Sequence, residues 1–308
     1  MLFRSLYSII HDITERKCAE EEREATIEVL HLINESKGTE ELIHAATAYF
    51  LKHSGCEAVG VRLKERDDYP YYETRGFPED FVLAENQLST CDETGHPLID
   101  SAGNPVLECM CGNVISGRVD SSRPFFTTKG SFWSNCTTDF LASTSEADRQ
   151  ARTRNRCNGE GYESVALIPL QVGTERLGLL QLNDRSKGRF KLETIELWER
   201  LVGYLAVAVA KFRADEALCR AKEEWERTFD SVPDMIAILD NQHRVARVNK
   251  AMARRLGVTP EECIGLHCYE AVHGTSCPHG VCPHLRTIAD GCEHIQELHE
   301  DRLGGDFR

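Results

Sequence analysis

Apolar residues recur at helical spacing through "HDITERKCAEEEREATIEVLHLINESKGTEELIHAATAYFLKHSG", with Ile27, Leu30 and Ile33 on one stretch and Leu42, Ile43, Ala46 and Phe50 on the next. Asp12 or Thr14 has the chemistry of an N-cap, and Glu15, three residues after Asp12, completes a capping box, so the pattern predicts a helix starting there. The "SKGTEE" break places a helix end at Gly38 and a new cap at Thr39. The period then drops to two: "EAVGVRLK" (57–64) alternates as a half-buried strand does, and "YYETRG" (71–76) continues the sheet. Two apolar runs around "VGTE" in 164–184 predict an antiparallel hairpin at the sheet centre. Nearly 40 residues of uninterrupted helical pattern follow in 191–229, with Leu197, Leu201, Tyr204, Leu205 and Val209 expected on one face and a charged end suited to a coiled coil. A second domain begins with the strands "MIAILD" and "RVARVN", a helix carrying Ala251, Met252 and Leu256, and a final turn at "RLGGDFR".

Between 78 and 160 no period is sustained, and Gly, Asp, Asn, Ser and Thr are dense. A structureless stretch of that size inside a compact domain is uncommon unless it is functional, so the chemistry is sought there. The chain has 308 residues, enough for about two domains. Its 50 acidic and 36 basic residues give a net charge of −14, which repels nucleic acid and anionic membrane surfaces. No apolar run approaches the roughly 20 residues of a membrane span, and the start does not read as a signal peptide. The expected location is cytoplasmic.

In a reducing compartment structural disulfides rarely persist, so thirteen cysteines pose a question: buried small hydrophobes, or chemistry. Cys109 and Cys111, if extended, point the same way with Cα atoms about 6.6 Å apart, which favours shared ligation over a disulfide. Cys157 lies among Arg152, Arg154 and Arg156, whose charges would lower its pKa, and Cys91 would supply a fourth ligand. Thiolates suit haem iron, an iron–sulfur cluster or zinc, although the spacings match no standard cluster motif. A second set is Cys268, Cys277, Cys282, His279 and His284 in "CYEAVHGTSCPHGVCPHLRT", candidate metal ligands whose alternative is simple packing of Cys268 with Cys282. Phe125, Phe126, Phe132 and Trp133 read as core, or as the wall of a pocket.

These stretches carry a resemblance. "ESVALIPLQVGTERLGLLQLND" with the long helix resembles the C-terminal half of a GAF domain, and 25–213 fits that fold with an insertion at about 78–160. "SVPDMIAILDNQHRVARVNKAMARRLGVTPEECIG" resembles the first half of a PAS domain, so 229–308 is expected to be a PAS domain truncated at its C-terminus. "IIHDITERKCAEEE" resembles the last strand and exit helix of another PAS domain, making 1–24 its end and 214–228 a coiled-coil linker. The expected class is therefore α+β: a GAF domain, an antiparallel sheet flanked by helices, joined by a long helix to a partial PAS domain. The resemblance implies the sensory input module of a prokaryotic signalling protein, most often a histidine kinase in a two-component system, detecting redox state or a small ligand or cofactor. It implies a homodimer through the helical linkers and a downstream kinase or other output domain. No phospho-acceptor histidine context and no G-x-G-x-x-G occurs in this chain, so no enzyme activity is expected of it. "LECMCGNVISGR" through "DRQARTRNRCNGEGYESVALIPL" also looks like a GAF subgroup in sensor kinases, some of which are associated with haem or thiol-based redox sensing. The rival is a GAF-type enzyme reducing free methionine sulfoxide with Cys109, Cys111 and Cys157 as its thiols; a cyclic-nucleotide pocket has only the fold in its favour.

Overall fold

The computed structural model describes residues 2–92, 94–101, 103–149, 153–278, 280–300 and 303–307. It divides into two units, Met1–Asp215 and Glu216–Arg308.

The first unit opens with α1 (Leu2–Glu35) and α2 (Thr39–Ser54), followed by β1 (Ala58–Leu63), β2 (Tyr71–Arg75) and α3 (Glu79–Glu85). Then come α4 (Cys109–Ser116), β3 (Phe132–Ser134), α5 (Thr137–Ser143), α6 (Glu146–Arg149) and α7 (Arg156–Gly159). The hairpin β4 (Ser164–Val172) and β5 (Glu175–Asp184) leads into α8 (Leu192–Ser231). The expected start at Asp12 or Thr14 is corrected: α1 is continuous from Leu2, so these residues lie inside a helix. Gly38, not Thr39, is the cap position of α2, with Thr39 its first residue.

One antiparallel sheet orders the strands β2-β1-β5-β4-β3. Paired residues share a face, so the register separates two sets. Val59, Val61, Leu63, Ala166, Ile168, Leu170, Leu180 and Leu182 pack with residues of α1, α2 and α8. Ala58, Val165, Leu167 and Leu179 face the other way, against Leu88, Leu107, Met110, Cys111 and Val114 of the 78–160 insertion. Both faces are covered, so β1 is buried at every residue, where the alternation predicted a half-buried strand. The polar member of that alternation, Arg62, is 1% exposed rather than solvated. In α8 the buried residues Ile195, Trp198, Leu201, Val202, Leu205 and Val209 form the inner face, whereas Tyr204, expected among them, stays 42% exposed.

The insertion is folded, and it completes the sheet: β3 pairs with β4 as the fifth strand. Its first part is an arm with an eight-residue repeat, Asp92-x-x-Gly95-His96-Pro97 and Asp100-x-x-Gly103-Asn104-Pro105. Thr90, Leu98 and Val106 close a ring of backbone hydrogen bonds, each N–H donating to the next carbonyl at 2.8 Å. The Glu108 N–H then donates to Leu88 O at 3.0 Å, which sets the chain direction as α4 begins.

The second unit contains the strands β6 (Ala237–Leu239) and β7 (Val245–Val248), which pair antiparallel. After them come α9 (Lys250–Leu256), α10 (Pro260–Cys263), α11 (Cys268–Ala271), α12 (Pro283–Asp290), and a closing hairpin of β8 (Leu298–Glu300) and β9 (Gly305–Phe307). Asn249 caps α9 by accepting from Met252 N, accepts also from Ile236 N, and donates to Asp234 O and Val232 O, tying the entry of β6 to the exit of β7. A small core of Val245, Val248, Met252, Ala253, Cys263 and Cys268 sits beneath.

Candidate functional site

The extended geometry expected of Cys109 and Cys111 is corrected, because residues 109–116 form α4. The Cα spacing of an extended strand therefore does not apply to the pair. Cys109 stands at the first position with φ +64°, a left-handed conformation unusual for a residue with a Cβ. Cys111 is buried against the sheet and Met110 lies beside it. Cys157 comes in from α7, and all three thiols line one pocket with Tyr71, Glu85, Phe132, Phe140, Arg156 and Gln181.

The sheet supplies the pocket floor. Gln181 lies opposite Gly60 and Leu167 and is 1% exposed. Tyr71 Oη donates to Gln181 Oε1 at 2.9 Å, Gln181 Nε2 points at Cys157 Sγ at 3.7 Å, and Cys111 Sγ is 3.9 Å from Gln181 Oε1. Gly60 makes room for this: a Cβ there would sit 2.9 Å from the Tyr71 ring. Arg62 completes the floor, its guanidinium stacked on Tyr71 at 3.5 Å from the ring centre and donating to Tyr69 O, Asn86 O and Glu85 O at 2.9, 3.0 and 2.5 Å. The pocket is partly open to solvent and has a cavity volume of about 50 Å³, room for roughly three to five waters or a small ligand.

Burial pushes all three thiols up: Cys109 above its usual range, Cys111 well above it, and Cys157 to about 12. In each case loss of solvent is the leading cause; repulsion from Cys109 follows for Cys111 and Cys157. The expected activation of Cys157 by neighbouring arginines is thus reversed. Arg154 is engaged elsewhere, with Glu108 at 3.0 Å, Gln87 O at 2.7 Å and Glu85 at 3.9 Å, and Arg152 lies outside the described residues. Burial likewise raises the pKa of the Glu85 carboxyl, with Arg154 and Arg62 opposing it.

Cys91 does not join the group. It lies on the arm, bridged to Pro97, with Gln87 Nε2 2.7 Å from its sulfur, in a separate surface hollow that it shares with Glu108 and Arg154. Among the described residues the three pocket thiols do not converge on one point as ligands of a single metal ion do; the group that does lies in the second unit. A zinc ion or cluster is therefore a poor fit to Cys109, Cys111 and Cys157. Haem iron would need only one axial thiolate from this set. Cys136, elsewhere in the insertion, accepts from Asp139 N as the cap of α5.

In the second unit Cys268 Sγ and one ring nitrogen each of His243 and His284 lie within 4.8 Å of one another, and His243 Nδ1 is 2.9 Å from His284 Nδ1. Two members of the expected set, Cys268 and His284, are thus brought together, with Cys282 buried close enough to raise the Cys268 thiol after burial itself. Burial, then His243, lowers His284. Cys277 is exposed, and His279 lies outside the described residues. His243 was not legible in the sequence: it sits in the "NQH" turn, 25 residues from Cys268.

Residues 229–308 match the family described as PAS fold. This part of the chain has a PAS fold. No curated protein matches the chain. Among solved structures, it is similar to the GAF domain of a phosphoenolpyruvate-protein phosphotransferase from Coxiella burnetii, at 14% identity and TM-score 0.45 over 65% of this chain and 98% of that one. It is similar to a domain assigned to a two-component sensor histidine kinase from Sinorhizobium meliloti, at 16% identity and TM-score 0.38 over 59% and 97%. A free methionine-R-sulfoxide reductase from Neisseria meningitidis, solved with its substrate, is similar at 13% identity and TM-score 0.43 over 65% and 93%. Among the described residues no helix is long and apolar enough to cross a membrane.

Proposed function

We propose that this chain is a sensory input module in which the thiol-lined pocket of the first unit takes up a small, largely uncharged ligand and passes its occupancy to α8. The observation that carries the reading is the convergence of Cys109, Cys111, Cys157, Tyr71 and Gln181 on one mostly apolar void. A physical route to α8 exists. Phe132 lines the pocket at the end of the 127–131 turn, and at the other end of that turn buried Thr127 Oγ1 donates to buried Glu199 Oε1 on α8 at 2.5 Å. A shift of Phe132 therefore pulls on a short polar contact between two largely buried side chains. The signalling partners in this reading are a second copy through α1 and α8, and an output domain such as a histidine kinase.

The thiol chemistry supports binding over catalysis. A nucleophilic cysteine needs its thiolate at neutral pH, and with a pKa of about 12 Cys157 is ionised in roughly one molecule in 10⁵ at pH 7. That disfavours the methionine sulfoxide reductase reading for this pocket. Xenon, a soft probe that enters apolar voids, tests the pocket by NMR. Saturable xenon binding that disappears in Cys157→Phe supports the reading; binding unaffected by that substitution, or none at all, overturns it.

A further inference from the structure

We propose that the PAS-fold unit carries a zinc-class metal site formed by His243, Cys268 and His284, separate from the thiol pocket of the first unit. The three donors come from three segments that the backbone holds side by side. His243 occupies the 240–244 turn in the left-handed region, φ +63°, and its carbonyl accepts from Cys268 N at 2.8 Å. Next to that contact, Val245 N donates to Leu266 O and Gly265 N to Val245 O, each at 2.8 Å, and Arg244 bridges to His267. This ladder fixes the His243 and Cys268 backbones against each other across 25 residues of chain. His284 is delivered separately, as the second residue of α12 after Pro283.

The geometry of the two rings points to a cation. Their Nδ1 atoms face each other at 2.9 Å, so two lone pairs meet at one point unless a proton lies between them. Cys268, 6% exposed, brings its sulfur within 4.8 Å of a ring nitrogen of each histidine. Tetrahedral zinc bound at about 2.0–2.1 Å to nitrogen and 2.3 Å to sulfur holds its ligand atoms roughly 3.3–3.6 Å apart. The rings need only separate slightly and the thiol advance by about 1 Å. Two imidazoles and a thiol with no carboxylate form a borderline-soft set, the type that selects zinc over magnesium or calcium. Three protein ligands leave a fourth position for water or an exchangeable ligand.

On binding, the Cys268 S–H bond breaks, its electron pair goes to the metal and its proton to solvent. The proton shared by the two rings moves to Nε2 of the ring that carries it, freeing both Nδ1 lone pairs. One proton is released per metal and no electron is transferred.

Cobalt(II) titrated into the reduced, chelator-treated full chain tests this. The expected result is saturation at one cobalt per chain, with tetrahedral visible bands and a sulfur-to-cobalt charge-transfer band, displaced by zinc. Cys268→Ser abolishes the charge-transfer band, and His243→Ala and His284→Gln each weaken binding at least tenfold, while Cys277→Ser changes nothing. Far-UV circular dichroism confirms that each variant is folded, and the two histidine variants carry the test if Cys268→Ser is not. A charge-transfer band that survives Cys268→Ser, affinity unchanged in both histidine variants, or no saturable binding overturns the proposal.

Discussion

Replacing Arg62 with Met removes the guanidinium that stacks on Tyr71 and keeps most of the volume. Arg62 is 1% exposed and holds three backbone carbonyls, Tyr69 O and Asn86 O among them, while its face covers Tyr71. Charge-assisted bonds contribute about 1.5–3 kcal/mol each, and a desolvated cation–π contact about 2 kcal/mol. Against roughly 6 kcal/mol from the low ends of these stands relief of the burial cost of the cation, several kcal/mol. What tips the balance is that Met leaves three carbonyls without their donor, two of them on the buried residues Tyr69 and Glu85. A net loss of about 3 kcal/mol is expected, with Arg62→Lys in between because an ammonium cannot span the same fork. Urea unfolding followed through Trp133 and Trp198 measures it. Stability within about 1 kcal/mol of wild type would refute the reasoning and show that burial of the charge cancels everything Arg62 holds.

The thiols predict a pH dependence. Below about pH 9 folded and unfolded chains both keep the Cys157 proton; between 9 and 12 the unfolded chain releases it and the folded one does not. Stability should therefore fall as pH rises through that window, by up to roughly 1.4 kcal/mol per pH unit, and Cys157→Ala should flatten the slope in urea unfolding at stepped pH. Gly112→Ala would put a Cβ 2.7 Å from Leu107 Cβ and 2.8 Å from its carbonyl carbon, so α4 must shift; a loss of about 1–3 kcal/mol and altered labelling of Cys109 are expected. Asn249→Ala removes two accepted and two donated hydrogen bonds at a buried side chain and should cost about 2–4 kcal/mol, read as the unfolding midpoint of the second unit.

The long, strongly patterned elements were legible. The 164–184 hairpin and the 191–229 helix appear where the pattern put them, because nine or more residues of consistent period outweigh local noise. The insertion was not, because its helices run only four to eight residues and β3 is three residues long; such pieces are fixed by packing on the sheet. The alternation in β1 was real but misleading, since Arg62 is polar and buried, its charge met by carbonyls from Tyr69, Glu85 and Asn86. "CMCG" is too short to carry a helical period, so the sequence does not reveal that it opens a helix. The expectation that chemistry would gather in the insertion led to Cys109, Cys111 and Cys157. It gave no hint of Gln181 and Tyr71, which reach the same void from strands on either side of β1. The eight-residue Asp-x-x-Gly-x-Pro repeat is present in the sequence and is the signal that marks the arm.

Hydrogen exchange across residues 125–132 and 192–205 tests the central claim most directly, comparing wild type with Cys157→Phe, in which a side chain occupies the pocket. The account predicts that filling the void changes protection around Thr127 and around Glu199 on α8 while α2 is unaffected. Changes confined to α4, α7 and the pocket strands, with the 127–131 turn and α8 exchanging as in wild type, would contradict it.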